Sequence, residues 1–103
     1  MVARVWRGWS TTELAPVYEE HFRTATLPAL GEIDGHDGAY VLRREVGDEV
    51  EFVVVTLWAS FDAVRAFAGD DHEAAVVPPE ARRALTRFER TVTHYDASGA
   101  NRP

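Results

Sequence analysis

The 103-residue chain contains no cysteine and no lysine. Without cysteine there are no disulfides and no thiolate chemistry, and a secreted disulfide scaffold is excluded. Without lysine there is no side-chain amine for Schiff-base chemistry. All eleven basic residues are arginine, which reads as a genomic bias toward GC-rich codons. Seventeen acidic residues outnumber them, for a formal net charge of -6. The arginines are scattered, with only Arg43-Arg44 and Arg82-Arg83 adjacent. Duplex binding depends on neutralising phosphates, so no nucleic-acid partner is expected. No apolar run approaches the roughly 20 residues that span a bilayer, so no membrane partner is expected either. The opening Met1-Val2-Ala3-Arg4-Val5-Trp6 lacks the apolar stretch of a signal peptide, and the expected location is cytoplasmic. There is no phosphate-binding glycine loop, no Gly-x-Ser-x-Gly elbow and no dinucleotide fingerprint. The only asparagine is Asn101.

What is present is an ordinary globular balance, 46% hydrophobic and 27% charged. One domain over residues 1–96 is expected, followed by a polar, disordered tail over 97–103. Val2 to Trp9 reads as a first strand, rich in β-branched and aromatic residues. Ser10-Thr11-Thr12-Glu13 has capping-box spacing, with Ser10 as cap and Thr12 as its rival because Pro16 is easier to place near a helix start. With Ser10 as cap, Trp9 and Leu14 are placed to form a hydrophobic staple. The helix is predicted to end near Thr26, since Pro28 disfavours helical geometry before it. It places Leu14, Tyr18, His21, Phe22 and Ala25 on one face. A glycine-rich loop over 31–38 leads to a second strand, Ala39 to Val46, and a third, Val50 to Trp58, which form a hairpin. Ser60 caps a second helix and Gly69 ends it, with Phe61, Val64, Phe67 and Ala68 inward. A short helix over Glu80 to Leu85 and a last strand from Phe88 to Asp96 complete the order.

That order is βαββαβ, an α+β ferredoxin-like arrangement with a four-stranded antiparallel sheet. Two helices cover one face of such a sheet. In the third strand Phe52, Val54, Thr56 and Trp58 point one way, and Val53, Val55 and Leu57 point the other. Both sets are apolar, so both faces are expected to be buried. A second copy of the chain is the economical cover for the face without helices, which predicts a homodimer pairing through the sheet.

Several side chains stand out as carriers of chemistry. His21 lies on the apolar face of the first helix. It reads either as a core histidine bonded through one ring nitrogen or as a base in a pocket, because histidine titrates near neutrality. Tyr18 and Phe22 flank it as pocket-lining residues. Trp58, at the junction of strand and helix, is either core packing or a wall on which a flat ligand stacks, with Phe67 beside it. Trp6 and Trp9 project to opposite faces of the first strand. His72 follows Asp70 and Asp71, and reads as an exposed loop residue or as a contact at the pocket rim. No second ligand stands at metal-binding spacing, so no metal is expected. His36 and His94 read as ordinary structural residues.

Four groups of residues carry a resemblance. They are Val50 to Val53 continuing through Leu57-Trp58-Ala59-Ser60, then Ala63 to Gly69, Ala75 to Pro79, and Arg90 to Tyr95. On these the chain resembles the antibiotic biosynthesis monooxygenase family of the dimeric α+β barrel superfamily, over about residues 2 to 96. The last group is like that of one small subgroup. The resemblance implies a homodimer whose two sheets pack into a barrel, with a cavity between helices and sheet in each subunit. It also implies oxygenation of polycyclic aromatic compounds by O2 without metal, flavin or other cofactor, the substrate anion supplying the electrons. The protein's tasks are then to bind the ring, assist proton removal and exclude water. Other members degrade heme with an asparagine, a tryptophan and a histidine. Trp58 matches that tryptophan, but His72 lies farther along than the pattern and the asparagine is missing, so heme degradation is disfavoured. The expected function is a small enzyme, a cofactor-independent monooxygenase or relative, acting on an aromatic or polyketide-like molecule, with His21 as base and Trp58, Tyr18, Phe22 and Phe67 around the ring. The alternative is a dimeric binding protein for a small apolar ligand, without turnover. Isomerisation or decarboxylation on the same fold also stays open, because fold alone does not decide reaction.

Overall fold

A computed structural model describes residues 1–99; residues 100–103 of the expected tail lie outside the described residues. The elements run β1 (Val2–Thr11), α1 (Ala15–His21), a π-helical segment (Phe22–Thr26), α2 (Leu27–Gly31), β2 (His36–Val46), β3 (Glu49–Trp58), α3 (Phe61–Ala68), α4 (Pro79–Arg83), β4 (Arg87–Phe88) and β5 (Thr93–Asp96). All pairings are antiparallel. The strand order is β2-β3-β1-β4, with β5 also on β1. This is the expected α+β, ferredoxin-like sheet, with its last strand in two pieces.

Register decides which side chains meet the helices. β1 pairs β3 from Val2↔Trp58 to Thr11↔Glu49 without a shift. Val50, Phe52, Val54, Thr56 and Trp58 therefore share a buried face with Val2, Arg4, Gly8 and Ser10. The odd-numbered positions of β3, among them Val53, Val55 and Leu57, lie on the face that the helices leave uncovered. Gly47 makes the β2–β3 turn at φ 59°, a left-handed conformation that glycine adopts without a Cβ penalty.

The first helical stretch departs from expectation at both ends. Ser10 is not its cap. It is a fully buried residue of β1, and its hydroxyl donates to the Ala84 carbonyl at 2.5 Å. Its neighbour Thr11 accepts from the Leu14 N–H at 3.1 Å, and α1 begins at Ala15 with Pro16 in its first turn. Trp9 lies on the opposite sheet face, under the Arg87 guanidinium at 3.9 Å. A tertiary hydrogen bond has taken the side chain that local spacing offered to the helix.

Pro28 does not stop the helix, which continues to Gly31. A proline inside an α-helix removes one donor and its ring clashes with the carbonyl four residues back. Here the chain widens into a π turn immediately before Pro28, and the Leu27 N–H reaches back five residues to the Phe22 carbonyl. The wider winding accommodates the proline. It also counters the angular drift that four-residue spacing suffers in an α-helix. Tyr18, Phe22, Thr26 and Leu30 consequently form one stripe facing the sheet.

α3 follows its local signals. Ser60 accepts from the Ala63 N–H at 3.2 Å, and the Gly69 N–H closes the helix on the Arg65 carbonyl at φ 84°. The expected last strand, Phe88 to Asp96, is broken in its middle. There the Ala75 N–H bonds the Arg90 carbonyl, and the Val92 N–H bonds the Glu73 carbonyl, each at 2.8 Å. The segment after α3 thus captures residues 90–92, leaving β4 on Gly8 and Trp9 and β5 on Val2 to Val5.

The core forms two clusters. One holds Ala15, Tyr18, Val50, Phe52, Ala81 and Ala84, with Trp6 and Val77 packed against it. The other holds Val2, Leu30, Trp58 and Val64, with Phe61 and Phe67 against it. The space between them is the cavity described next. Among the described residues no helix is long and apolar enough to cross a membrane.

Candidate functional site

A cavity of about 90 Å³ lies between the helices and the sheet. Helical stripe residues Tyr18, Phe22 and Leu30 form one wall, and Trp6 and Val54 of the sheet form the floor. Phe67 of α3 and Val76 to Pro78 complete it. The π turn places Phe22 and Thr26 on this wall; such turns recur at functional sites because they re-aim side chains without ending the helix. The Trp6 indole is oriented by its Nε1–H bond to the Glu89 carbonyl at 2.7 Å, and it lies 6.4 Å from the Tyr18 ring. Gly8 makes room for it: a Cβ there would come within 2.6 Å of the indole.

The lining is apolar except for three hydroxyl residues and one cation, Arg4. Burial pushes the Tyr18 phenol well above its ordinary range, so it is a neutral hydrogen-bond donor at pH 7. Thr56 is already engaged: its Oγ1 accepts from Trp58 Nε1 at 2.9 Å and lies 3.5 Å from the Arg4 carbonyl, to which it donates. Arg4 is 4% exposed. Its Nη1 donates to the His72 carbonyl at 2.5 Å and its Nη2 to the Ala74 carbonyl at 2.8 Å. Nη1 also lies 3.1 Å from His94 Nε2. The guanidinium carbon sits 5.7 Å from the centre of the Phe67 ring. Burial lowers the Arg4 pKa from its ordinary value, but arginine keeps its proton in proteins.

The expected site residues separate into two groups. Tyr18, Phe22 and Phe67 line the cavity. Trp58 does not. It is fully buried behind the lining, stacked on Phe67 at 5.1 Å with 28° between the rings and edge-on to His36 at 5.1 Å. His21 and His72 are also outside the lining. His21 is half-buried on α1, with Nε2 buried and unpaired. His72 stands 4.9 Å from the Phe61 ring and 5.9 Å from the His94 ring, with Nδ1 buried and unpaired. His72 thus belongs to a cluster with His94, Phe61 and Arg4 that borders the cavity. Among the described residues no three potential metal ligands are grouped.

Sequence reasoning missed Arg4. Period-two alternation in β1 puts it on the face of Val2, Gly8 and Ser10, which was the available signal. Its partners at 72, 74 and 94 are far away in the chain, and nothing local announces them.

Because arginine only donates, His94 Nε2 must accept, so His94 is neutral with its proton on Nδ1. Burial lowers its pKa first; the Arg4 cation and His72 add to this, and Glu73 opposes. The folded state therefore binds this proton less readily than the unfolded chain. The stabilisation is full above the ordinary histidine value of about 6.5 and is lost as pH falls from there through the lower folded value. His36, also lowered by burial, acts in the same direction. Urea midpoints are expected to fall between pH 7.5 and pH 5.5, and His94→Gln is expected to flatten that dependence. An unchanged slope in the variant would remove His94 as a source.

Family models match no part of the sequence, and a search of curated proteins finds no match. Solved structures do match. SnoaB, a cofactor-independent oxygenase from Streptomyces nogalater, is 21% identical with a TM-score of 0.67, covering 96% of this chain and 94% of its own. The heme-degrader MhuD from Mycobacterium tuberculosis, solved with two hemes bound in its active site, is 22% identical with a TM-score of 0.66, covering 98% and 99%. A Streptomyces coelicolor monooxygenase from the gene ActVA-Orf6, in complex with nanaomycin D, is 16% identical with a TM-score of 0.58, covering 99% and 90%. The chain therefore shares the ferredoxin-like fold of the antibiotic biosynthesis monooxygenase structures, the group its sequence resembles.

Proposed function

We propose that the chain is a small, homodimeric, cofactor-independent monooxygenase acting on a flat aromatic or polyketide-like molecule held in the helix–sheet cavity. The observation that carries this reading is the cavity's composition: Trp6, Tyr18, Phe22 and Phe67 around a single buried cation. Aromatic walls bind a planar ring through area burial and offset stacking. The fold shared with SnoaB and the ActVA-Orf6 product supports the reaction class.

The reaction balances with O2 as the oxidant. An activated ring CH2 loses a proton, and the resulting anion passes one electron to O2. The radical pair combines to a peroxide, which takes a proton at its outer oxygen. Loss of the second ring hydrogen as a proton, with O–O cleavage and departure of water, leaves a carbonyl. One oxygen atom enters the product and one enters water, and no external reductant is consumed. The apolar lining keeps water from the anion. His21, next to Phe22 on the first helix but outside the lining, is the proposed base, and His72, outside the lining beside Arg4, the proposed rim residue. Heme is disfavoured as substrate, because the resemblance calls for an asparagine that the described residues lack.

A second reading, a binding protein without turnover, is favoured by one observation: among the described residues no histidine or carboxylate lines the cavity. An oxygen electrode separates the two. With 1,8-dihydroxyanthrone, the enzyme reading expects O2 uptake above the uncatalysed rate, one O2 per quinone formed. Binding of the anthrone without accelerated uptake would establish the second reading.

A further inference from the structure

Among the described residues no carboxylate pairs with the buried cation of Arg4. Among the described residues its partners are two backbone carbonyls, a neutral imidazole and the Phe67 ring. The chain has seventeen acidic residues, yet among the described residues none lines the cavity. Arginine has five N–H donors, and these contacts occupy three. A buried charge without an opposite partner is costly, and as a purely structural tie between β1 and residues 72–74 a neutral donor would suffice. The carbonyl and imidazole contacts instead hold the guanidinium in place at the cavity, with donors remaining.

We propose that Arg4 is the anion-binding, specificity-determining residue of the cavity, and that the ligand is a flat aromatic carrying an acidic oxygen, as a carboxylate, phenolate or enolate. This rests on the reading of the cavity as an aromatic site and adds the residue that meets the charge of its occupant. Three features fit. The ligand anion completes the charge balance that the chain leaves open. Arg4 and Phe67 line the cavity side by side, the guanidinium carbon 5.7 Å from the ring centre, so one aromatic ligand can meet the cation and the Phe67 ring together. A fixed cation also lowers the pKa of an acid bound beside it, so the site favours the deprotonated ligand without a base in its lining.

The test uses two probes of nearly the same shape, 2-naphthoate and 2-naphthamide, titrated into the full-length protein by calorimetry. A charge-assisted hydrogen bond in place of a neutral one predicts naphthoate binding at least about tenfold tighter. Arg4→Met is expected to abolish the preference. Because that variant also loses the ties to residues 72, 74 and 94, a measurement on the unaltered protein accompanies it. With arginine isotopically labelled, the Arg4 guanidinium resonances are expected to shift with naphthoate and stay in place with naphthamide. Equal affinity for the two probes, or unmoved Arg4 resonances, would overturn the proposal and leave the aromatic cavity standing. Failure of both probes to bind at millimolar concentration would overturn the aromatic cavity and this inference with it.

Discussion

Trp58→Ala is expected to lower folding stability by about 3–5 kcal/mol, the range for removing a fully buried tryptophan from a core. The side chain is 0% exposed and belongs to the cluster of Val2, Leu30 and Val64. No neighbouring segment is free to collapse into the space: Val2 is held in register opposite it, and α3 is capped at both ends. The indole N–H is satisfied by Thr56 Oγ1, so truncation also removes a buried hydrogen bond. A domain of this size has about 5–15 kcal/mol in total, which places the variant near the threshold of folding. Phe67 loses its stacking partner and with it the fixed position of one cavity wall. Ligand affinity should therefore fall along with stability. Urea denaturation followed by circular dichroism measures the first effect. A loss below about 1 kcal/mol would show that Trp58 does not hold the second core cluster together.

The other large effect is expected at Val55, in the centre of the sheet face that carries no helices. Val5 and Tyr40 flank it in register, and Leu42 and Tyr95 lie on the same face, exposed at 53% and 57%. In the proposed dimer this face is covered by its counterpart in the second copy, and a two-fold interface doubles every substitution. Val55→Glu puts two unpaired charges into the contact. An uncompensated buried charge costs about 3–5 kcal/mol, so the dimer should weaken at least about 100-fold. Light scattering at 10 µM is expected to give about 23 kDa for the unaltered protein, twice the 11.5 kDa of one chain, and the monomer mass for the variant. The helix-covered face is untouched, so the variant should keep its secondary structure. A monomeric unaltered protein at that concentration would refute the sheet-to-sheet pairing.

Much of the fold was legible because its signals are local. Ser60 and Gly69 bound α3 as their chemistry dictates, since an N-cap and a left-handed C-terminal glycine each act within one turn. Alternation in Val50 to Trp58 sorted the two faces of β3 correctly. Local signals lose where a distant partner competes for the same group. Ser10 was lost to the Ala84 carbonyl, 74 residues on. Residues 90–92 were drawn from β1 to the segment after α3. In the sequence Pro28 looks like a terminator because α and π windings use the same residues, and the wider turn shows only once the stripe is packed on the sheet.

The candidate site divides in the same way. Tyr18, Phe22 and Phe67 were visible as apolar residues at helical spacing, and they do line the cavity. Trp58 carried the strongest motif, but the depth of a ring in a core depends on which neighbour lies in front of it, here Phe67. By itself the sequence determined the element order, the two-faced third strand and the caps of α3, because periodicity and capping act between neighbours along the chain. Only the tertiary structure decided that Trp58 stands behind the cavity and Arg4 faces it, because contacts between residues 4, 72, 74 and 94 exist only once β1, β5 and the intervening segment are packed together.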